Sequence, residues 1–341
     1  MYLLWNTGGF LNDTSKGRGD SLMVKYIFKR LGYVLITLFI LSVFVFTLIH
    51  ITPGNPARII LGQDATTEEV NALTEQLGLN KPLIQQYFDW AAGALQGDLG
   101  TSYSRKGSVM SEITTALGPT MELALWAQLL ATVIAIPLGI ISARNKGKVA
   151  DSGIIAFAQL GISIPSFLLS LILVIVFSVN LKLLPVAGYK QIAAVGLQRH
   201  IEYMILPVIS LAMMQCAMLT RMTRASVIDV INMDYIKTAK AKGVKQNVIM
   251  YKHALRNALI PILTAIGQSF ATLLSGAAVV ETVFGIPGVG QLIVSSVTKR
   301  DYPMIQGIVL VVSLIYILIN LVIDLLYGVV DPRVRVAGGS K

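Results

Sequence analysis

Six apolar segments of the chain are long enough, or nearly long enough, to cross a lipid bilayer. A spanning helix needs about 20 mostly apolar residues, because each residue advances ~1.5 Å and the hydrocarbon core is ~30 Å thick. Backbone groups in lipid must be paired internally, and nothing resembles the ten-residue alternation of a barrel, so these segments are helices. We predict an all-α integral membrane protein with six transmembrane helices, at residues 33–51, 120–141, 154–179, 205–219, 258–280 and 305–330.

The composition agrees with a chain embedded in a lipid bilayer. Only 13% of the 341 residues are charged, whereas an ordinary soluble domain carries about 25%. The net charge of +10 would be compatible with binding to negatively charged nucleic acid. However, a nucleic-acid-binding domain does not need apolar runs of this length. We therefore expect no nucleic-acid partner. The single cysteine, Cys216, excludes an internal disulfide and a Cys-rich metal site.

The distribution of basic residues predicts the orientation. With a cytoplasmic N-terminus, the inside segments hold 19 of the 28 Lys and Arg residues and the outside segments hold nine. Cytoplasmic loops carry such an excess of positive charge. Both the N- and the C-terminus are thus predicted to be cytoplasmic, which makes residues 52–119 an extracytoplasmic loop and residues 220–257 a cytoplasmic loop.

The first 22 residues differ from the rest of the chain. They are polar and glycine-rich, and they lack the apolar region and cleavage site of a signal peptide. The basic lead into the first span begins at Met23. We predict that residues 1–22 are a disordered extension, or that Met23 is the natural start. Residues 23–336 form the transmembrane domain, and residues 337–341 a tail.

The extracytoplasmic loop contains signs of folded structure. The prolines of residues 53–56 end the first span, because neither can continue a helix. Residues 66–69, Thr-Thr-Glu-Glu, are a helix-start signature, and Gly78 closes that helix. A second short helix is predicted from Pro82, and residues 97–103 form a turn. The loop is either a folded cap on the bundle or a docking or gating element.

The cytoplasmic loop contains one predicted amphipathic helix, which ends at Gly243. Its lysines lie mostly off the apolar face. The helix either rests on anionic lipid or is presented to a cytoplasmic partner, with Ala239, Ala241 and Gly243 allowing close approach. The apolar face recurs at three- and four-residue steps through Val227, Ile228, Ile231, Tyr235 and Thr238.

The segment of residues 281–304 is too polar and too rich in glycine to span. Its centre is Ile-Pro-Gly-Val-Gly at residues 286–290. We expect either a re-entrant or surface turn that caps the pathway, or a plain connector.

The sequence contains no pattern typical of a catalytic or nucleotide-binding site. His50, His200 and His253 lie in three different segments, so a histidine-based metal site is not expected. The phosphate-binding pattern GxxxxGK[ST] and the hydrolase patterns GxSxG and HExxH are missing from the sequence. We therefore predict that this chain has no catalytic site, no cofactor and no metal of its own.

Few ionisable residues lie inside the predicted spans. Glu122 is near the outer end of its span, at a simple interface position, and Asp324 either lines a pathway or pairs with an arginine. The pathway is therefore expected to be largely uncharged. A methionine cluster that includes Met218 either lines the passage or fills helix contacts. The candidate pathway residues are Asp324, Asn320, Gln215 and Met218.

The cytoplasmic loop resembles the coupling loop of bacterial ABC importer permeases, most closely those of the dipeptide, oligopeptide and nickel branch. The resemblance rests on the stretches Asp234–Gly243 and His253–Pro261 and covers about residues 23–336. The general family motif has Glu-Ala-Ala where this chain has Lys237-Thr238-Ala239, a departure typical of the peptide branch. Other matching motifs, in order, are Pro53–Pro56, Leu77–Pro82, Gly97–Ser102, Val280–Phe284 and Asp331–Arg335.

The resemblance implies a mechanism and a set of partners. Residues 230–243 would form a coupling helix that sits in a groove on a separate ATPase subunit. Two cytoplasmic ATP-binding subunits would carry ATP and Mg, and a second homologous permease would complete the pathway. An extracytoplasmic substrate-binding protein would deliver the cargo to this protein of the bacterial inner membrane. The implied ATPase-coupling residues are Asp234, Tyr235, Thr238, Ala239, Lys240, Ala241 and Gly243.

The cargo is less well specified than the transport mechanism. Di- or oligopeptides are the expected substrates, while importers of nickel or other metal chelates, opines and glutathione share the same motifs. The main rival from another class is a secondary carrier or channel that works without ATP. Such a carrier predicts buried charge pairs or inverted repeats, and the six spans show neither clearly.

Overall fold

The structure is a computed structural model that describes residues 32–47, 51, 56–62 and 64–330. Within the helices, the side chains of residues 59, 246, 252, 275 and 324–330 are outside this description. The predicted extension, the start at Met23, the helix end at residues 53–55, His50 and the tail all lie outside the described residues.

The described part of the chain is helical, which confirms the predicted fold class. The one β-bridge in this part joins Thr101 and Ser108. The first half contains α1 (Gly32–Thr47), α2 (Pro56–Leu61), α3 (Thr67–Gln76), α4 (Leu83–Leu95), α5 (Val109–Arg144), α6 (Val149–Ser163) and α7 (Ser166–Leu173). The second half contains α8 (Ile192–Ile231), α9 (Asp234–Ala241), α10 (Gln246–Val248), α11 (Leu255–Phe284), α12 (Val289–Thr298) and α13 (Tyr302–Val330).

Four helical stretches in the described part are long and apolar enough to cross a membrane. They are Val109–Arg144, Ile192–Ile231, Ile249–Leu274 and Tyr302–Ile323. Two bent helix pairs raise the number of candidate spans to six. The helix α1, at the predicted first span, is apolar but shorter. These six candidate spans differ from the six predicted spans, because they leave out α1 and include the bent pair Gly276–Phe284 and Val289–Thr298. A helix is nevertheless present at each predicted position.

The predicted third span, residues 154–179, is not one straight helix. It consists of α6 and α7, with a π-helical end at Val174–Asn180, and the two halves meet at an angle of 97°. Pro165 causes the break, because a proline pushes the preceding residue out of the helical region. Ile164 accordingly has an extended backbone, with ψ of 116°.

The predicted fourth span, residues 205–219, is only the centre of α8. This helix has 40 residues and is kinked at Gly196, where φ is 78°. The prediction was too short because His200, Glu202, Arg221 and Arg224 end the apolar run in the sequence. Charged residues do not end a helix whose backbone hydrogen bonds continue into the polar region at each side.

The extracytoplasmic loop of the prediction forms an arm, a name we use for residues 56–108. Thr66 caps α3 in a capping box with Glu69, which confirms the predicted helix start. Gly78, with φ of 68°, follows the end of α3, and Pro82 precedes α4, as predicted.

Residues 281–304 are more than a plain connector. Gly285 ends α11 in the left-handed conformation, and the chain turns by 84° into α12. A side chain at Gly290 would collide with the backbone of Ala278, since its Cβ would lie 2.2 Å from that residue's Cα. Only a glycine lets α12 pack this closely on α11.

Three clusters of buried apolar residues form the core from one end of the bundle to the other. The middle cluster joins α5, α8 and α11 through residues such as Leu123, Leu219 and Leu273. The cluster beside the arm includes Val109, Val289, Met304 and Ile308. The cluster at the opposite end includes Ile140, Val227, Met250, Ala254, Ala258 and Ile262. We call these two ends of the bundle the arm end and the α9 end.

Candidate functional site

The helix α9 is a separate short element at the α9 end of the bundle. It has eight residues, and Met233 precedes it with an extended backbone. Asp234 lies in its first turn and Lys240 in its last turn, each at the end where the helix dipole favours its charge. Gly243 follows the helix with φ of 76°, which confirms the predicted helix stop.

One buried residue packs α9 against the rest of the chain. Of the eight residues of α9, all of which are described, Ile236 is the buried one, with 0% of its surface exposed. The helix packs against the π-helical turn Ile249–Ala254, where Ile249, Met250 and Ala254 are buried as well. Ile236 is therefore the apolar anchor of α9, and the remaining surface of the helix is left available.

The available surface contains the residues that the sequence assigned to coupling. Ala239 is half-buried and the other six are exposed, including Tyr235 and Gly243. Lys237 forms an exposed ion pair of 2.8 Å with Asp234. This face combines small residues, hydroxyl groups and an aromatic ring around a rigid turn, which suits contact with another protein.

A side-chain hydrogen bond connects α9 to the long helix that follows it. The Asn257 amide Nδ2 donates to the hydroxyl oxygen of Tyr235 at 2.8 Å and to the carbonyl oxygen of His253 at 3.0 Å. Asn257 lies in the first turn of α11. Asn257 thereby joins α9, the π-helical turn and α11.

The predicted apolar face of the cytoplasmic loop is wrong in its register. The prediction continued one face from Val227 through Tyr235 to Thr238, but the helix breaks at Asn232 and Met233. Val227 is buried at the end of α8, whereas Tyr235 and Thr238 are exposed on α9. The break resets the helical phase, and Ile236 becomes the inward residue.

An ion pair with a buried carboxylate fixes the start of α6 to α8. Arg224 donates to both carboxylate oxygens of Asp151, at 2.7 and 2.8 Å, and the Gly147 amide donates to Asp151 at 2.9 Å. Asp151 also accepts a hydrogen bond from Ser142. Such a bidentate pair restricts the geometry more than a single contact does. Sequence reasoning missed it, because the two partners are 73 residues apart.

The candidate pathway residues lie in different environments. Gln215 is only 4% exposed within the bundle, which does not favour a pathway role. Met218 is 49% exposed, and Met214 and Met222, one turn away on either side, are exposed on the same face of α8. Asn320 is half-buried, and its amide donates to the Tyr316 carbonyl oxygen at 2.9 Å. The side chain of Asp324 lies outside the described residues.

Asp301 organises the arm end of the bundle. Its buried carboxylate accepts hydrogen bonds from the Ser102 and Ser104 hydroxyls and from the Tyr103 and Ser104 amides, at 2.5 to 3.1 Å. Burial on its own raises the pKa of Asp301, but the hydrogen bonds from Ser102, Ser104 and Tyr103 together have the larger, opposite effect. The pKa of Asp301 therefore lies below its usual value. Burial, with Asp301 nearby, raises the pKa of Tyr103 to about 12. Two motifs that are 199 residues apart thus form one structure.

Glu281 has a similar role between α5, α11 and α12. Its buried carboxylate accepts from the Thr120 hydroxyl at 2.6 Å and from the Gln291 amide at 3.0 Å. The Val289 amide donates to the Thr120 hydroxyl at 2.8 Å. Negative charge is favourable at the start of a helix, so Glu281 stabilises the first turn of α12.

Glu122 is not the simple interface position that the sequence suggested. Its carboxylate accepts from the Tyr189 hydroxyl at 2.7 Å and lies 2.7 Å from Nε2 of His200, outside hydrogen-bond geometry. His200 is buried, and its Nδ1 lies 2.6 Å from the Lys190 carbonyl oxygen. The cluster links α5 to α8 and to the loop before α8.

The described residues contain no group of three or more His, Cys, Asp and Glu side chains placed to hold a metal ion. The polar clusters pair with groups of the same chain and join helices to one another. The surface of α9 is the candidate site that is open to a partner, and the chemistry it supports is protein contact.

Comparisons with known proteins identify relatives over nearly the whole chain. The family model described as "Binding-protein-dependent transport system inner membrane component" matches residues 135–336, and the model of its N-terminal part matches residues 23–124. The glutathione transport system permease protein GsiC of Escherichia coli CFT073 is 42% identical over 313 residues, which is 92% of this chain and 99% of the relative. The probable peptide ABC transporter permease protein y4tP of Sinorhizobium fredii is 37% identical and covers 91% of this chain and 99% of its own length.

A solved structure has the same fold. A chain of the MetNI methionine ABC transporter, in an inward-facing conformation, matches 65% of this chain and 97% of its own length with a TM-score of 0.54. The two sequences are 20% identical, so this likeness concerns the fold alone.

Proposed function

The chain belongs to the family of binding-protein-dependent transport system inner membrane components, and on that premise we propose that it forms half of the pathway of an ATP-driven peptide importer. It is a multi-pass inner membrane protein of the dipeptide and oligopeptide branch, and a permease subunit rather than an enzyme. The second half of the pathway comes from a homologous permease, and two cytoplasmic ATPase subunits supply the energy.

The observation that carries this proposal is the way α9 is attached. A helix that buries only Ile236 and exposes Tyr235, Thr238 and Lys240 is available to another protein. The bond between Tyr235 and Asn257 gives it a direct connection to α11. Closure of the ATPase pair on ATP would move α9, and α11 would follow.

The proposed orientation puts the α9 end in the cytoplasm and the arm end outside. The excess of Lys and Arg in the segments around α9 supports this orientation. It leaves residues 1–22 and the tail 337–341 in the cytoplasm and residues 52–119 outside. The arm would then meet the extracytoplasmic binding protein that delivers the cargo.

The pathway surface is proposed to include the exposed methionines of α8. Met214, Met218 and Met222 recur every four residues and form one exposed face of a helix that is apolar enough to span the membrane. Flexible thioethers adapt to side chains of different shape, as a pathway for varied peptides requires. The partner permease would contribute the opposite wall.

Peptides are the proposed cargo class. The relatives named above are described as a glutathione permease and a probable peptide permease, and glutathione is itself a tripeptide. A largely uncharged pathway suits peptides whose net charge varies. The binding protein would select among different peptides, so the permease itself would need only to let peptides through as a class.

The test is a mild-detergent purification of the tagged chain, with every co-purifying protein identified by mass spectrometry. We expect a second, homologous permease and one or two nucleotide-binding ATPases. Recovery of the folded chain alone or as a homo-oligomer would contradict the proposal and favour an ATP-independent carrier.

A further inference from the structure

The helix α4 of the arm has an apolar face that the rest of the described chain leaves open. None of its 13 residues, all of which are described, is fully buried. Ile84 is 74% exposed, Phe88 is 63% exposed and Leu95 is 90% exposed. Their spacing of four and seven residues places them on one side of the helix. We call these three residues the α4 stripe.

The opposite side of α4 has a different character. Gln86, Asp89 and Trp90 line a cavity of about 1020 Å³ between the arm, α1 and the start of α13. Asp89 is the only charged residue of α4, and it pairs with Lys81 at 2.7 Å on this cavity side. The α4 stripe therefore carries neither a charge nor a hydrogen-bonding group.

The position of α4 relative to α1 indicates its surroundings. The Tyr87 hydroxyl lies 2.8 Å from the Ser42 hydroxyl, and the ring centroids of Tyr87 and Phe46 are 5.4 Å apart. The ring of Phe46 also lies 6.1 Å from that of Trp90. Phe46 precedes residue 51, the end of the predicted first span, by five residues, which is about 8 Å along the helix. The rings of Tyr87 and Trp90 therefore lie level with the end region of that span, where it approaches the membrane surface, while the Tyr87 hydroxyl reaches towards the middle of the span.

We propose that α4 lies in the membrane interface at the arm end, with the α4 stripe buried in the lipid of that leaflet. The neighbouring helix α1 also exposes apolar side chains, among them Phe39, Ile40 and Phe44. Tyr87 lies beside the α4 stripe and Trp90 lies on the cavity side of α4, and such aromatic residues are enriched where a membrane meets water. An amphipathic helix with an uncharged apolar face lies in this plane.

A lipid surface fits the α4 stripe better than a water-soluble partner does. A soluble partner would meet three isolated apolar side chains with no polar group to fix its orientation. The neighbouring helix α3 differs sharply, since its exposed residues include Glu68, Glu69 and Glu75. In this arrangement α4 anchors the arm to the membrane and α3 faces water. The inference holds whichever side of the membrane the arm end faces.

The test uses spin labels on single cysteines in the complete transporter, reconstituted in lipid nanodiscs. Cys216 is first replaced by Ser, and cysteines are then introduced in separate chains at Phe88, Leu95, Gln85 and Glu75. Power saturation compares the accessibility of each label to oxygen, which is enriched in lipid, and to a water-soluble nickel complex. Gln85, exposed beside the stripe on α4, and Glu75, on α3, are the matched controls.

We expect labels at Phe88 and Leu95 to be several-fold more accessible to oxygen than to the nickel complex, with the reverse at Glu75. Nickel accessibility at Phe88 and Leu95 equal to that at Glu75 would overturn the proposal. So would protection from both reagents, since that result means that a protein covers the stripe. Hydroxyl-radical footprinting of the unmodified assembly checks Phe88 without substitution. Low oxidation supports the proposal, and oxidation equal to that of exposed Leu77 in the arm, each corrected for its intrinsic reactivity, contradicts it.

Discussion

The Tyr235 hydroxyl accepts a hydrogen bond of 2.8 Å from Asn257, and this bond joins the short helix α9 to the first turn of α11. Asn257 also donates to the carbonyl oxygen of His253 in the π-helical turn between them. A motion of α9 relative to α11 must keep or break this bond. In the proposed importer it is therefore the most direct polar link between the ATPase contact and a membrane span.

Removing either partner of this bond is expected to reduce coupling. Tyr235→Phe and Asn257→Ala should each lower peptide uptake per ATP hydrolysed by a few-fold, since a single hydrogen bond contributes about 0.5–1.5 kcal/mol. The double variant should be no worse than the more severe single variant, because both changes remove the same contact. Uptake and ATP hydrolysis are measured together in proteoliposomes.

The neighbouring ion pair between Lys237 and Asp234 gives a matched control. It lies on the same helix and is exposed, and pairs of this kind contribute little. Lys237→Gln should therefore leave the coupling ratio nearly unchanged. Strictly additive losses in Tyr235→Phe and Asn257→Ala would show that the two residues act independently.

Gly243 is expected to tolerate asparagine but not valine. A Cβ at this position meets nothing within 4 Å, so any effect comes from the backbone, whose φ is 76°. A left-handed conformation costs about 1–2 kcal/mol for an ordinary L residue, and asparagine is one of the exceptions. Gly243→Val should uncouple uptake from hydrolysis while membrane insertion stays normal. Equal uptake by the valine and asparagine variants would contradict the coupling role of this turn.

The carboxylate of Asp301 is expected to stabilise the arm in a pH-dependent way. Its pKa is lower in the folded protein than in the unfolded chain. Its contribution is thus fully present above the unfolded pKa of about 3.9 and is lost as the pH falls through the lower folded pKa. Asp301→Asn should remove the contribution at neutral pH, and hydrogen bonds to a charged group are each worth about 1.5–3 kcal/mol.

Thermal unfolding and limited proteolysis of the arm measure this effect. Asp98→Asn is the control, because Asp98 is exposed and accepts one hydrogen bond, from the Gly100 amide at 2.9 Å. We expect Asp301→Asn to lower the melting temperature clearly more than Asp98→Asn does. Identical melting and cleavage of the two variants would be incompatible with Asp301 as the organising residue of the arm end.

Gly290 and Gly276 are expected to respond in opposite directions to alanine. A Cβ at Gly290 would lie 2.2 Å from the Cα of Ala278, whereas a Cβ at Gly276 meets nothing within 4 Å. Gly290→Ala should push α12 away from α11 and lower the thermal stability. Gly276→Ala should be neutral or stabilise by up to about 1 kcal/mol, because glycine is unfavourable within a helix. Equal melting temperatures would contradict the close packing of α12.

The features that the sequence predicted correctly depend on local chemistry. The capping box at Thr66 and Glu69 and the stop at Gly243 each depend on a few neighbouring residues. The apolar runs, which also consist of neighbouring residues, predicted where the helices lie. A proline at 165 was visible too, but its effect on the direction of the chain, a bend of 97°, depends on how the two halves pack.

The features that the sequence did not predict depend on contacts between distant segments. Nothing local distinguishes Asp151 from other acids near a helix start, and its half-buried partner Arg224 lies in another helix. Ile236 was passed over because the break at residues 232–233 shifts the helical phase, and a periodic pattern contains no sign of such a break. Asn257 and Tyr235 both lie within recognised motifs, but only the fold shows that they form a hydrogen bond with each other.

The central claim, that this permease subunit takes part in ATP-driven import through α9, is tested most directly by uptake in proteoliposomes. The complete purified assembly is supplied with its binding protein, a labelled tripeptide and ATP inside the vesicles. We predict accumulation that requires ATP hydrolysis and is lost in the Gly243→Val assembly, while the Gly243→Asn assembly remains active. Uptake that continues without ATP and follows an ion gradient, or uptake that the valine variant supports fully, would contradict the account.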